Sequence, residues 1–278
     1  MPQPSAPRGL IVTADDFGLH EAVNEAVERA HRDGVLTAAS LMIGAPAASD
    51  AIARAKRMPN LRVGLHIVLA DGPAVLPRAQ IPDLVDAAGR FGDAMARDGF
   101  RFFFLPRVRR QLALEIEAQF ALFQASGLLL DHVNAHKHFH IHPTVLSLIL
   151  AQRRRFGFPA IRLPASADPP LFLRPWLAML RRRLERAGIA HNDQVFGIDE
   201  TGAMDETALL GALARLPGGV TEIYSHPATQ RGITPSMASY RPTDELAALL
   251  SPRVRAAMED LGLKRGGFSD FWPARGAA

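Results

Sequence analysis

The chain has 278 residues, 48% of them hydrophobic and 22% charged, a composition that suits a soluble globular protein with a substantial core and excludes disorder and collagen-like repeats. It has no cysteine, which excludes a disulfide framework, thiolate metal ligation and a cysteine nucleophile, so any metal must be held by nitrogen and oxygen. The net charge of +4 is mildly basic, and no run approaches the roughly eighteen consecutive apolar residues of a membrane span; the best, Leu36 to Ala48, is broken by Thr37, Ser40, Gly44 and Pro46.

Met1 to Arg8 carries Pro and Ser without the basic-then-apolar pattern of a secretory signal. It reads as a disordered lead-in, and a cytoplasmic location is the default expectation. Gly9 to Ala14 is a continuous apolar run suited to a strand buried on both faces. It ends in Asp15-Asp16-Phe17-Gly18, after which Ala22, Val23, Ala26, Val27 and Ala30 keep helical spacing over Glu21 to Arg32. The alternation continues with a strand over Leu36 to Ile43, a helix over Ser49 to Arg57 and a strand over Leu61 to Ile67. From Asp71 to Phe104 proline and glycine punctuate the chain, giving a long insertion at about 71–106 whose length marks a functional loop or lid.

A helix is then expected over Arg107 to Ser126, a strand over Leu128 to Asn134, a helix over Thr144 to Arg155 and a strand over Ala160 to Leu163. Leu171 to Ala187 reads as helix, Gln194 to Ile198 as extended, Glu206 to Leu216 as helix and Val220 to Tyr224 as a strand. Thr243 to Leu249 and Pro252 to Leu261 read as helices, with a last short strand beginning at Lys264. No composition break marks a linker, so residues 9–278 form one α/β domain. Such alternation suits a TIM-like (β/α) barrel, complete or with a strand missing or irregular. Its rival, a doubly wound sheet, lacks support because no glycine-rich phosphate loop follows the first strand, where two carboxylates stand instead.

The polar residues that interrupt these strands share one position. Asp15 and Asp16 follow the first strand, His66 ends the third, a histidine cluster follows Leu128 to Asn134, and His226 follows Val220 to Tyr224. In a parallel barrel the strand C-termini form one face, so these residues converge on one cleft. The ordinary role for an Asp-Asp pair is a helix N-cap plus a solvated neighbour. In the catalytic alternative, one aspartate holds a metal and the other takes a proton from metal-activated water. Five of the ten histidines fall within His132 to His142, a density that points to metal ligation. On an extended segment His136, His138 and His140 share a face; on a turn into the following helix His136 and His140 pair instead. A lone strand histidine such as His66 is more often a satisfied core residue than a ligand. His226 suits a general acid, while His20, His31 and His191 read as surface residues. No Gly-x-Ser-x-Gly elbow supports a serine hydrolase.

Thr13-Ala14-Asp15-Asp16-Phe17-Gly18, Gly64-Leu65-His66, the His136-x-His138-x-His140 run and Ser225-His226-Pro227 together resemble the YdjC-like carbohydrate deacetylases in order and approximate spacing. The run Asn134 to Pro143, where many relatives read Asp-Ser-His-His-His-Val-His, is similar to the hopanoid-biosynthesis-associated HpnK branch. The resemblance implies a distorted barrel related to polysaccharide deacetylases, with one divalent ion held by Asp16, His66 and His136. It further implies Asp15 as general base and His226 as general acid, with His138, His140 and Arg162 behind the ligands or facing substrate. Arg162 would orient a carboxylate or contact the developing oxyanion. The Asn-Ala for Asp-Ser departure removes a carboxylate beside the site.

The implied activity is metal-dependent removal of acetate from an N-acetylglucosaminyl group, with an acetylglucosaminyl hopanoid as the branch's substrate. Two His and one carboxylate with water completing the shell fit Zn²⁺, and Mg²⁺, Mn²⁺, Co²⁺ or Ni²⁺ are also compatible. Rival readings are a deacetylase of soluble chitooligosaccharides, a two-metal phosphoesterase, for which spare acids are few, and a non-catalytic sugar- or lipid-binding barrel. For a lipid-linked substrate, Phe100 to Arg107 and the arginine runs at 107–110, 153–155 and 181–183 would suit peripheral contact with an anionic inner-membrane surface. Against this, aromatic runs are usually core and arginine runs solvated helix faces. Nucleic-acid binding is not expected, because the arginines are dispersed over several helices.

Overall fold

The computed structural model describes residues 7–166 and 168–272. Of the expected lead-in, residues 1–6 lie outside the described residues, while Pro7 and Arg8 already belong to the first strand, β1 (Pro7–Phe17). The apolar run Leu10 to Ala14 is buried throughout, as expected of a strand covered on both faces. Helix α1 (Glu21–Arg32) follows, its N-terminus capped by the His20 side chain, which accepts from the Ala22 N–H. Neither aspartate of the Asp15-Asp16 pair serves as that cap. Its apolar stripe, Ala22 to Ala30 at helical spacing, packs into the core.

The next units are β2 (Ala38–Leu41), α2 (Ala48–Lys56) and β3 (Arg62–Ile67), followed by the insertion. The insertion is not irregular throughout. Single antiparallel bridges pair Pro73 with Arg90 and Val85 with Phe91, and residues Met95–Phe104 form helix α3. Gly99 and the aromatic run concealed that helix in the sequence; it forms because Phe102 is buried and stacks on Phe139 at 5.2 Å.

Helix α4 (Pro106–Ala125) leads to β4 (Val133–Ala135), shorter than the strand expected from Leu128. Helix α5 (Pro143–Phe156) begins on a proline and ends on left-handed Gly157, then α6 (Arg174–Arg186), β5 (Gln194–Phe196), α7 (Glu206–Leu213) and β6 (Gly219–Ser225) follow. The chain finishes with α8 (Pro242–Leu250), α9 (Pro252–Asp260), β7 (Lys264–Arg265) and the unexpected short α10 (Phe268–Phe271).

All strand pairs are parallel, in the order β4-β3-β2-β1-β6-β5, with β7 pairing on β1. The sheet curls until its edges meet. Across the gap, Arg162 N–H donates to the Val133 carbonyl, Ile161 N–H to Ala190 and Val195 N–H to Ala165. The strand expected over Ala160 to Leu163 is thus present as isolated bridges, one to Val133 of β4 and one to Ala190 ahead of β5. Strand neighbours follow chain order around this ring, as in a distorted barrel; a doubly wound sheet would reverse direction at a switch point. Among the described residues no helix is long and apolar enough to cross a membrane.

Candidate active site

The C-terminal ends of β1, β3 and β4 bring Asp16, His66 and His136 together, each offering one donor atom, all within 4.8 Å of one another. Asp16 Oδ1 lies 3.3 Å from His66 Nε2 and 3.0 Å from His136 Nδ1. Two consecutive aspartates in a regular strand would point to opposite faces. Here the β1–β2 register shifts between Ala14 and Phe17, and Asp16 adopts a left-handed backbone with φ +61°. That bulge brings both carboxylates to one cluster. Gly64 of the Gly-Leu-His motif also has a steric role, since a Cβ there would lie 2.4 Å from the His132 ring.

Burial by itself would raise the Asp16 carboxyl, but the charge and hydrogen bonds of His136 and His66 outweigh it and hold the group well below the usual carboxylate range. His66 is pushed the other way: burial opposes its charging, and Asp15 and Asp16 override that. An ionised carboxylate flanked by two imidazoles is the donor set that oxygen- and nitrogen-seeking divalent ions take. Behind His66, the Asn134 side-chain amide sits 2.6 Å from Nδ1, while its other end faces Ser40 Oγ at 2.9 Å and the Arg162 guanidinium at 3.1 Å. Asn134 therefore links the His66 ring to Ser40 and Arg162 behind it.

Asp15 is 2% exposed and receives a forked pair of hydrogen bonds from Arg162, at 2.6 and 2.9 Å. The opposite side of the same guanidinium is forked onto Glu222 at 2.8 and 2.7 Å, and Thr13 Oγ1 donates to Glu222 Oε1 at 2.7 Å. Burial would raise the Asp15 carboxyl; Arg162, followed by His66, outweighs it and keeps the group ionised. Arg162 itself is completely buried with its donors committed to these carboxylates. Of the two roles expected of it, Arg162 takes the first, holding the Asp15 carboxylate. Glu222 was missed by sequence reasoning, because a Glu inside a strand carries no motif.

Arg162→Leu should leave two buried carboxylates facing each other unpaired, at a cost of roughly 3–5 kcal/mol and roughly 10 °C in melting temperature. Adding Glu222→Gln should return part of the loss. A melting curve for Arg162→Leu that matched wild type would refute this account.

The histidine cluster divides by backbone geometry. Residues His136–Ile141 form a 3-10 turn in which Lys137 and His138 both take left-handed backbones, φ +53° and +54°. Neither the extended nor the helical spacing expected from the sequence applies, and the rings diverge. His138 Nε2 meets the Tyr224 hydroxyl at 3.0 Å, within reach of Thr201 beyond it. Burial, then the charge of Arg162, holds His138 well below the ordinary imidazole range.

His140 takes the first of the two roles expected of it, behind the cluster and not facing substrate. Its Nδ1 accepts from the Ala135 N–H at 3.1 Å and its Nε2 faces the Arg162 carbonyl at 2.9 Å, so it braces the backbone between β4 and the Arg162 segment. Burial and the Arg162 charge push its pKa down to about 3. Since the unfolded chain takes up this proton near pH 6.5 and the folded chain does not, stability should fall as pH drops from 6.5 toward 3. The slope from this group is about 1.4 kcal/mol per pH unit. Denaturant titrations of wild type and His140→Gln between pH 4 and 6 should differ in slope by that amount; equal slopes would refute it. Of the three histidines read as surface residues, His20 is exposed, whereas His31 and His191 are half-buried against backbone carbonyls.

A small cleft of about 100 Å³ lies over the cluster, lined by Asp15, His66, His136, His138, Tyr224 and His226, with Tyr240 at its edge. The His226 backbone N–H donates to Glu245 at 2.5 Å, and its ring lies between Tyr224 and Tyr240, centroids 5.6 and 5.2 Å away. His226 Nδ1 is buried with no hydrogen-bond partner among the described residues.

The YdjC-like protein family matches residues 9–260, which include every residue of this cleft. The chain belongs to that family. Two relatives, each named carbohydrate deacetylase, are similar along nearly their whole length. That of Geobacillus stearothermophilus is 32% identical over 96% of this chain and 99% of its own. That of Brevibacillus brevis is 31% identical over 94% of this chain and 99% of its own. Among solved structures, a candidate cellobiose-phosphate cleavage protein of Enterococcus faecalis V583 superposes with a TM-score of 0.76 at 25% identity, covering 96% of this chain and all of that one. This YdjC-like chain thus shares its sequence pattern with those relatives and its fold with that solved structure.

Proposed function

We propose that the chain is a divalent-metal-dependent N-deacetylase that removes acetate from an N-acetylglucosaminyl group. The observation that carries this reading is the cluster Asp16, His66 and His136 beside an ionised Asp15 in one cleft. The relatives named carbohydrate deacetylase support it. A divalent ion held by the three donors supplies Lewis-acid polarisation of the acetamide carbonyl and a water of lowered pKa.

Asp15, aimed by Arg162, accepts the proton of the attacking water. The water oxygen bonds to the acetamide carbon and the C–N bond breaks. His226, which also lines the cleft, donates the proton that the departing amine requires. The products are acetate and a free amino sugar. His138 and Tyr224 line the cleft and contact the sugar, whereas Arg162 and His140 act from behind. Zn²⁺ suits two imidazoles and a carboxylate, and Mg²⁺ and related ions use the same donors less tightly.

The finer reading takes an N-acetylglucosaminyl hopanoid as substrate, on the likeness of Asn134 to Pro143 to the hopanoid-associated branch, with work at the inner-membrane surface. The alternative is a soluble chitooligosaccharide. Acetate release by metal-loaded protein from each of the two, with a chelated control, separates them. Chelator-sensitive release from the hopanoid alone supports the finer reading, and release from the oligosaccharide alone transfers the chemistry to a soluble substrate. Release from neither would overturn the deacetylase assignment.

A further inference from the structure

His132 does not line the cleft, and the chemistry proposed above makes no use of it. Its ring is completely buried, set against Gly64 on one side and facing Phe268 of α10, ring centres 4.7 Å apart. His132 Nδ1 lies 2.8 Å from Asp131 Oδ2. The same carboxylate accepts from the Phe268 N–H at 3.0 Å and from the Ser269 N–H and hydroxyl at 2.8 and 2.5 Å, so both of its oxygens are acceptors. His132 therefore presents a hydrogen on Nδ1. Across the ring, Nε2 is 3.1 Å from Ser40 Oγ, which is 2.9 Å from one end of the Asn134 amide. The other end of that amide is 2.6 Å from His66 Nδ1. A line of four buried side chains thus runs from α10, beside the N-terminal ends of β3 and β4, to the back of His66.

We propose that Asp131, acting through His132 and Ser40, holds the Asn134 amide with its oxygen toward His66, so that Nε2 of His66 is the nitrogen offered to the divalent ion. The inference rests on the reading of Asp16, His66 and His136 as the metal site. An amide has an oxygen at one end and two N–H at the other, so Asn134 can stand either way round. With its oxygen away from His66, it accepts from Ser40 and from the Arg162 guanidinium at 3.1 Å, and its nitrogen donates to His66 Nδ1. The hydrogen of a neutral His66 is then on Nε2, which faces Asp16 Oδ1 at 3.3 Å, and it covers the lone pair that a metal needs. With its oxygen toward His66, Asn134 accepts from Nδ1–H and leaves Nε2 bare. Arg162 favours the first arrangement, and the line from Asp131 favours the second. In a neutral His132 the single hydrogen is the one that Asp131 takes, so Nε2 accepts from the Ser40 hydroxyl. Ser40 Oγ then has only lone pairs left for Asn134 and selects its N–H end. Each bond in the line fixes the direction of the next. Arg162 gives up little, because its forked bonds to Asp15 and Glu222 persist, whereas His132 Nε2 has no donor besides Ser40 among the described residues.

The test is the Zn²⁺ affinity of the full chain, measured by competition with a chromophoric chelator at about pH 8, above the ordinary imidazole range. Ser40→Ala cuts the line next to Asn134 and should weaken zinc binding about tenfold or more, the usual cost of losing a group that orients a ligand. Asp131→Ala, which releases His132 Nδ1, should weaken it likewise, and the two losses should not add. Asn134→Asp offers an oxygen at both ends of the side chain, so in that background Ser40→Ala should change the affinity by less than about twofold. Ser40→Thr keeps the hydroxyl and should bind as wild type does. Proton–nitrogen correlation spectra of the histidine rings in the zinc-loaded wild type should show His132 with its hydrogen on Nδ1 and a bare Nε2. Unchanged affinity in Ser40→Ala overturns the proposal, and so does an equal loss in both backgrounds, which is the mark of a packing effect. If Ser40→Ala fails to fold, the ring spectrum still decides, because a hydrogen on His132 Nε2 turns the Ser40 hydroxyl toward Asn134 and overturns the proposal. Wild type that binds no zinc fails the metal-site reading itself and takes the proposal with it.

Discussion

Asp15→Asn is expected to bind its divalent ion as tightly as wild type and to release acetate about 10²- to 10⁴-fold more slowly, the usual span for loss of a positioned general base. The substitution keeps the shape of the side chain and one oxygen for Arg162, while removing the group that accepts the proton. Fold and metal site should survive, because Asp16, His66 and His136 are unchanged and Arg162 remains paired with Glu222. Metal content after dialysis and single-turnover acetate release check the two halves of the statement independently. Wild-type turnover in Asp15→Asn would remove Asp15 from the chemistry.

The second large effect lies one residue on. Asp16→Ala should abolish stoichiometric metal binding and bring turnover to background, since Asp16 is the only carboxylate among the three donors and faces both imidazoles. Alanine also tolerates the left-handed backbone at this position poorly, at a cost of roughly 1–2 kcal/mol. Asp16→Asn separates the two contributions, because asparagine visits that conformation readily and lacks the charge. Metal analysis of both variants, with His136→Ala alongside, should show depleted ion in all three and a larger stability loss in Asp16→Ala. Full metal occupancy in Asp16→Asn would mean that the ion is held elsewhere.

Much of this site is legible along the chain because barrel geometry is so restrictive. Once β1, β3, β4 and β6 are recognised from their apolar runs, residues at their C-terminal ends must share a face, whatever their separation in sequence. Asp15, Asp16, His66, the histidine cluster and His226 follow from that rule. Helices α1, α4 and α5 are equally readable, since their periodicity and end residues agree with the packing they find.

What remained hidden depends on contacts between distant segments. The strand expected over Ala160 to Leu163 is reduced to single bridges, because only closure of the sheet supplies its partners. Glu222 lies in a strand without any motif, yet it forms half of the charge arrangement that aims Asp15, because a buried guanidinium needs anionic partners on both sides. The histidine run announced a site, but two left-handed residues separate a member of the Asp16–His66–His136 cluster, a cleft-lining ring and a backbone brace within five positions. Composition, periodicity and the polar residues at strand ends determined the barrel and the position of the cleft, because these are local properties and one strong topological rule, while the family came from the resemblance of the motifs. Which histidine faces the cleft, what Arg162 holds, and the hydrogen-bonded line from Asp131 to His66 were decided by tertiary structure alone, since each depends on where segments far apart in the chain come into contact.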